Sequence, residues 1–92
     1  MKSIMQDVKE CWVCGSPYVE THHIYKGVAN RKLSDKDGCT IYLCAYHHRG
    51  NRGIHFDPLF DKVIKATCQV KWQEFYNKTE GDFRARYGKS YL

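Results

Sequence analysis

The sequence predicts an α+β fold, in which a short-stranded module rich in cysteine and histidine is closed by C-terminal helices. Three observations predict it. All five histidines lie between His22 and His55, four of the five cysteines lie between Cys11 and Cys44, and an apolar repeat of three or four residues begins only after Pro58. The 92 residues make a single domain (1–92), short enough that apolar burial alone leaves little net stability, so some staple is expected. Two tryptophans, seven tyrosines and four phenylalanines can build a core, but 27% charged residues and a mean hydropathy of −0.64 leave little aliphatic sequence to add to it.

Residues 1–10 are mixed and polar with little periodicity and read as a loosely tied arm. Residues 11–57 form the cysteine- and histidine-rich module, punctuated by turn signals at Gly15-Ser16-Pro17, Gly27, Asp37-Gly38 and Gly50 to Gly53. Between these turns, 18–25 and 40–43 are rich in β-branched and aromatic residues and read as short strands. Residues 58–92 are the helical part. From 58 to 76, Phe60, Ile64, Cys68, Trp72 and Phe75 recur at helical spacing. Thr79 caps a second, shorter helix with Phe83 and Tyr87 on one face and Gly88 as its stop.

A formal charge of +5 and a pI near 9.0 suit a polyanionic partner, because Lys and Arg contacts to phosphates release condensed counterions. Charge chooses only among readings that the site residues already permit. Five cysteines would leave one thiol over in a paired disulfide framework, and the N-terminus does not read as a secretory signal. A reduced, cytoplasmic setting is expected, where cysteines at this spacing serve as metal ligands rather than disulfides. No apolar run approaches the roughly 20 residues of a membrane span, so no membrane partner is expected.

Cys11-Trp12-Val13-Cys14 is one half of a metal knuckle: two thiolates on a tight turn grip one ion, and Gly15 supplies the backbone freedom the turn needs. Cys44-Ala45-Tyr46-His47 is the other half. Three thiolates and an imidazole around a tetrahedral ion make a common structural zinc set. Cys39, five residues before Cys44, is an alternative fourth ligand in place of His47, whereas Cys68 falls on the apolar stripe of the long helix and reads as a core thiol. One zinc cannot use every histidine. His22, His48 and His55 remain for a second, open metal position, and His23 remains as a neutral base. Successive strand side chains point to opposite faces, so His22 can bind metal while His23 meets water. If a helix follows Cys44, His47 and His48 diverge by roughly 100° and can serve separate ions.

The order of Cys-x-x-Cys, then His22-His23-Ile24, then Leu43-Cys44-x-x-His47-His48, then His55, resembles the phage HNH endonucleases, also called His-Me finger or ββα-metal nucleases. The similarity covers about residues 11 to 60 and is to the Cys/His-rich branch that includes the RecA-dependent recombination-enhancement nuclease. It implies a small zinc-stapled ββα-metal, treble-clef-like module and metal-dependent hydrolysis of DNA phosphodiesters. It further implies Zn2+ as the structural ion on Cys11, Cys14, Cys44 and His47, and Mg2+, Mn2+ or Zn2+ as the catalytic ion on His22, His48 and His55. His23 matches the general base. The Asn of the family name is missing before Leu43, and Asp37 is the residue expected to replace it by orienting His23. The gap from His48 to His55 exceeds one helical turn, so Arg49 to Gly53 is read as an inserted loop. Lys26, Arg31, Lys32, Arg49 and Arg52 are placed to meet DNA phosphates, although residue by residue a solvated face is the preferred reading for most of them. The implied setting is phage recombination or DNA processing in a bacterial host, and the resemblance adds a recombinase filament to the partners to be tested. The rival reading is a non-catalytic zinc module that binds DNA or protein.

Overall fold

The computed structural model describes all 92 residues. The elements run β1 (Glu20–His23), α1 (Val28–Asp37), β2 (Thr40–Leu43), α2 (Ala45–Arg49), a 3-10 turn (Ile54–Phe56), α3 (Pro58–Phe75) and α4 (Glu80–Tyr87). The two strands form one antiparallel ribbon in which Glu20 faces Leu43, His22 faces Ile41 and His23 faces Thr40. No helix is long and apolar enough to cross a membrane.

The strand expected over 18–25 is shortened to four residues at its start and end, and Tyr18 is largely exposed. Residue 24 still pairs by one bond, Ile24 N–H to Cys39 O, before the chain turns into α1. That helix has no counterpart in the sequence expectations. Its ten residues, VANRKLSDKD, carry no apolar stripe, and its buried residues are the polar Ser34 and Asp37. Beside the partly buried Leu33, hydrogen bonds anchor it: Ser34 Oγ donates to Tyr25 O at 3.0 Å and accepts from Tyr25 N–H at 3.1 Å.

The arm is also tied down, contrary to the expectation for residues 1–10. Ile4 N–H donates to Gly38 O, Ser3 Oγ donates to Thr40 O, and Gln6 Oε1 accepts from Tyr42 N–H at 2.7 Å. Met5 is buried behind them. Gly38 makes this approach possible: its φ is +76°, and a Cβ there would lie 2.3 Å from Lys2 O.

The two C-terminal helices form where expected. Asp57 caps α3 by accepting from Phe60 N–H, with Pro58 at the first helical position. Ile64, Cys68 and Trp72 face inward, whereas Phe75, the last member of the predicted stripe, is 60% exposed, and Tyr76, four residues after Trp72, packs against the core in its place. Thr79 and Asp82 form a reciprocal capping box on α4, and Gly88 ends it in the left-handed conformation.

The core joining the helices to the ribbon is aromatic. The Tyr25 ring lies 5.1 Å from Phe83, 4.7 Å from Tyr87 and 5.4 Å from Tyr91, and Trp72 packs edge-on to Phe83 at 5.3 Å. Such pairs contribute about 0.5–1.5 kcal/mol each beyond their burial. Cys39 and Cys68 are both fully buried here, and Cys39 Sγ accepts from Tyr87 Oη at 3.5 Å. Cys39 is thus a core thiol and does not reach the knuckle, so the alternative ligand set containing it falls away.

Asp37 closes α1 against this core. Its carboxylate accepts from Trp72 Nε1 at 2.9 Å, from Tyr87 Oη at 2.7 Å and from Arg86 through two nitrogens at 2.6 and 2.7 Å. Burial opposes its ionisation, but the bonds from Arg86, Tyr87 and Trp72 outweigh burial and hold the carboxyl below its usual range. Asp37→Ala strands four donor groups on three side chains and should lower stability by about 2–3 kcal/mol, read by urea denaturation. The depressed pKa makes the Asp37 contribution complete above about pH 4 and lost as acid takes the pH through the folded value. Asp37→Asn should therefore flatten the acid side of the stability curve.

Candidate metal centres and the cavity between β1 and α2

Cys11, Cys14, Cys44 and His47 converge, with their ligand atoms all within 4.8 Å of one another. The knuckle turn is set by Cys11 N–H to Ser16 O and Gly15 N–H to Cys11 O, and Trp12 N–H to Tyr42 O fastens it beside β2. Cys44 occupies the N-cap of α2, which places His47 one turn along the helix. Cys14 Sγ lies 3.8 Å from Cys44 Sγ, and His47 Nδ1 lies 3.7 Å from Cys11 Sγ and 3.2 Å from Cys44 Sγ. A tetrahedral ion with Zn–S of about 2.3 Å and Zn–N of about 2.0–2.1 Å requires edges of about 3.8 and 3.5 Å. The donor set therefore fits a tetrahedral metal ion. Burial works against the Cys11 thiolate, but hydrogen bonds from the backbone of Cys44, Cys14 and Val13 prevail and bring its pKa down to about 6.

His22, His48 and His55 form a second group with ligand atoms within 4.8 Å of one another. Three different elements supply them: β1, α2 and the 3-10 turn. The loop from Arg49 to Gly53 folds tightly onto the end of α2 to bring His55 back. A Cβ on Gly53 would lie 2.8 Å from the His48 carbonyl, so the close approach requires glycine. His55 Nε2 then sits 3.0 Å from His48 Nε2. The His22 ring meets those of His48 and His55 edge-on, at 5.2 and 5.3 Å. His22 is only 2% exposed, and its Nε2 has no hydrogen-bond partner. Burial is the main cause, with repulsion from any charge on His48, His55 and Lys26 adding to it, and it lowers the pKa to about 3 and keeps the ring neutral. A buried neutral imidazole nitrogen facing two others is an orphaned polar atom that a metal ion would satisfy.

His48 owes its orientation to a residue with no assigned role in the sequence expectations. Glu20 Oε1 lies 2.8 Å from His48 Nδ1. A carboxylate only accepts, so Nδ1 carries the proton and Nε2 turns a lone pair toward His22 and His55. Strand alternation is the signal that could have found Glu20: it lies two residues before His22 and so on the same face of β1. Arg49 grips the same carboxylate through Nε and Nη2. The hydrogen bonds from Arg49 and His48 hold Glu20 well below the usual carboxylate range. Arg49 is thus a partner of Glu20, which corrects its expected place as a free phosphate contact.

His23 turns away from the core and is partly exposed, with Nε2 3.4 Å from Asp35 Oδ1. Asp35 takes the place expected for Asp37, whose carboxylate is consumed by Trp72, Arg86 and Tyr87. The two are separated by two residues of α1, enough to put them on different sides of the helix. An open cavity of about 410 Å3 is lined by His22, His23, His48 and His55 together with Lys26 and Arg31. Lys32 lines an adjoining depression with His23, Arg31 and Asp35. Lys26 Nζ approaches His55 Nδ1 at 3.4 Å and Asp61 at 4.0 Å. Arg52 is exposed and lines neither hollow.

No family model and no solved structure matches the chain. Comparison with curated proteins finds F-box only protein 5 of Mus musculus, 32% identical over 65 residues that make up 71% of this chain. The chain spans only 14% of that protein's length.

Two separable ion sites should be visible by metal analysis. Cys44→Ala should abolish one, with a fall in thermal midpoint because the knuckle ion contributes to folding. His22→Ala should abolish the other while the knuckle ion is retained, as counted by mass spectrometry of the loaded protein.

Proposed function

We propose that this protein is a metal-dependent DNA endonuclease of the HNH type, with a ββα-metal frame built from β1, β2 and α2 and stapled by zinc on Cys11, Cys14, Cys44 and His47. What carries this reading is the unpartnered Nε2 of buried His22, set among His48 and His55 and beside His23 in one open cavity. A closed structural ion would need neither the cavity nor a neighbouring imidazole outside the ligand group.

A divalent ion on His22, His48 and His55, whether Mg2+, Mn2+ or Zn2+, would supply charge stabilisation to a phosphodiester and its leaving oxygen. The chain's own residues divide the remaining work. His23 is the general base. Asp35 beside its Nε2 favours the proton there, which leaves Nδ1 to accept a proton from the attacking water. Lys26 and Arg31 line the cavity as cations for the phosphates on either side of the scissile bond, and Lys32 extends that surface. In-line attack by water would leave a 5′ phosphate and a 3′ hydroxyl.

The test is plasmid nicking in Mg2+, Mn2+ or Zn2+. His23→Ala should slow cutting by a factor of about a hundred to ten thousand with metal content unchanged. Undiminished cutting by that variant removes His23 as base. No cutting by wild type in any of these metals, alone or with a recombinase filament, would leave the interaction module as the function.

A further inference from the structure

We propose that Glu20, clamped by Arg49, is the positioning residue of the three-histidine group, and that it sets the affinity of that group for its ion. The proposal rests on the reading of His22, His48 and His55 as ligands. Neither Glu20 nor Arg49 belongs to that ligand set, and neither touches the reacting atoms. Their part is to hold His48 in one ring orientation and one tautomer.

Glu20 and His22 project from one face of β1, while His48 and Arg49 are consecutive on α2. Glu20 Oε1 receives both His48 Nδ1, at 2.8 Å, and Arg49 Nε, at 2.9 Å, and Glu20 Oε2 receives Arg49 Nη2. The carboxylate therefore has both oxygens engaged and a fixed plane, as bidentate guanidinium pairing imposes. Without it, an imidazole with one N–H can carry that proton on either nitrogen, and the His48 ring can turn about its last torsion. Only a fraction of that population presents an Nε2 lone pair to His22 and His55, and apparent affinity falls by that fraction. The ring would also lose the basicity that a hydrogen-bonded carboxylate confers on a metal ligand.

A purely structural role for the Glu20–Arg49 pair, bridging strand to helix at the surface, predicts something else. Removing an exposed ion pair should then cost a small amount of stability and leave ion binding alone.

Protein carrying one equivalent of zinc on the cysteine knuckle would be titrated with Co2+, followed by the visible d–d absorption of the second ion. Glu20→Ala should weaken Co2+ binding by about 10- to 100-fold, with zinc content and thermal midpoint close to wild type. Glu20→Gln keeps an acceptor oxygen for Nδ1–H and should recover part of the loss. Arg49→Met, which frees the carboxylate to rotate, should fall between wild type and Glu20→Ala. Wild-type affinity in Glu20→Ala overturns the proposal. Where alanine disturbs the fold, wild-type affinity in both Glu20→Gln and Arg49→Met overturns it equally. Failure of the wild type to take any Co2+ beyond the knuckle removes the ligand reading itself, and the positioning role with it. Absence of nicking by wild-type protein that takes up the second Co2+ normally would instead count against the nuclease reading alone.

Discussion

The buried carboxylate of Asp37 is the interaction on which the rest of this architecture depends. It ends α1, and through Trp72, Arg86 and Tyr87 it reaches both C-terminal helices. Its own backbone carbonyl accepts from Tyr76 Oη at 2.7 Å. Three side chains from the two helices, and Tyr76 just past the end of α3, thus converge on the residue that feeds the chain into β2. The ribbon is too short to be stable alone, since an isolated two-stranded sheet is marginal in water. Packing β2 beneath an aromatic lid makes it a fixed platform, and a fixed platform is what two groups able to hold ions need.

Those sites share a very small support. Five residues of α2 deliver His47 to one cluster and His48 to the other, while β1 delivers His22 inward and His23 outward. Period-two alternation on the strand and the 100° step of the helix do the same job from opposite sides: each lets neighbours in sequence take different tasks. Glu20 and Arg49 then lock strand to helix on the side where the two meet.

Features written in local pattern were legible from the sequence. The apolar spacing from Phe60 to Trp72, the Thr79 cap and the Gly88 stop announced α3 and α4. The Cys-x-x-Cys and Cys-x-x-His spacings announced a cluster able to hold a metal ion, and strand alternation announced that His22 and His23 turn to different sides. Elements held by buried polar bonds were not legible. Helix α1 has no apolar stripe because Ser34 and Asp37 anchor it, so periodicity had nothing to register. The same cause misdirected the expectation for Asp37, since chain order alone cannot say whether a carboxylate turns outward to His23 or inward to the core. Arg49 looked like a phosphate contact for a related reason: its partner, Glu20, is distant in sequence and becomes a neighbour only when β1 packs on α2. The arm looked loose because its ties are single hydrogen bonds to β2 and Gly38.

That arm has a consequence for how the molecule behaves in company. The outer side of β2 would otherwise display a row of unpaired amides and carbonyls, the template on which sheets of different molecules add to one another. Ser3 on Thr40 O, Gln6 on Tyr42 N–H and Trp12 N–H on Tyr42 O occupy that row. The first dozen residues thereby act as a built-in guard against edge-to-edge aggregation, a use of irregular chain that keeps a very short sheet from being completed by a stranger.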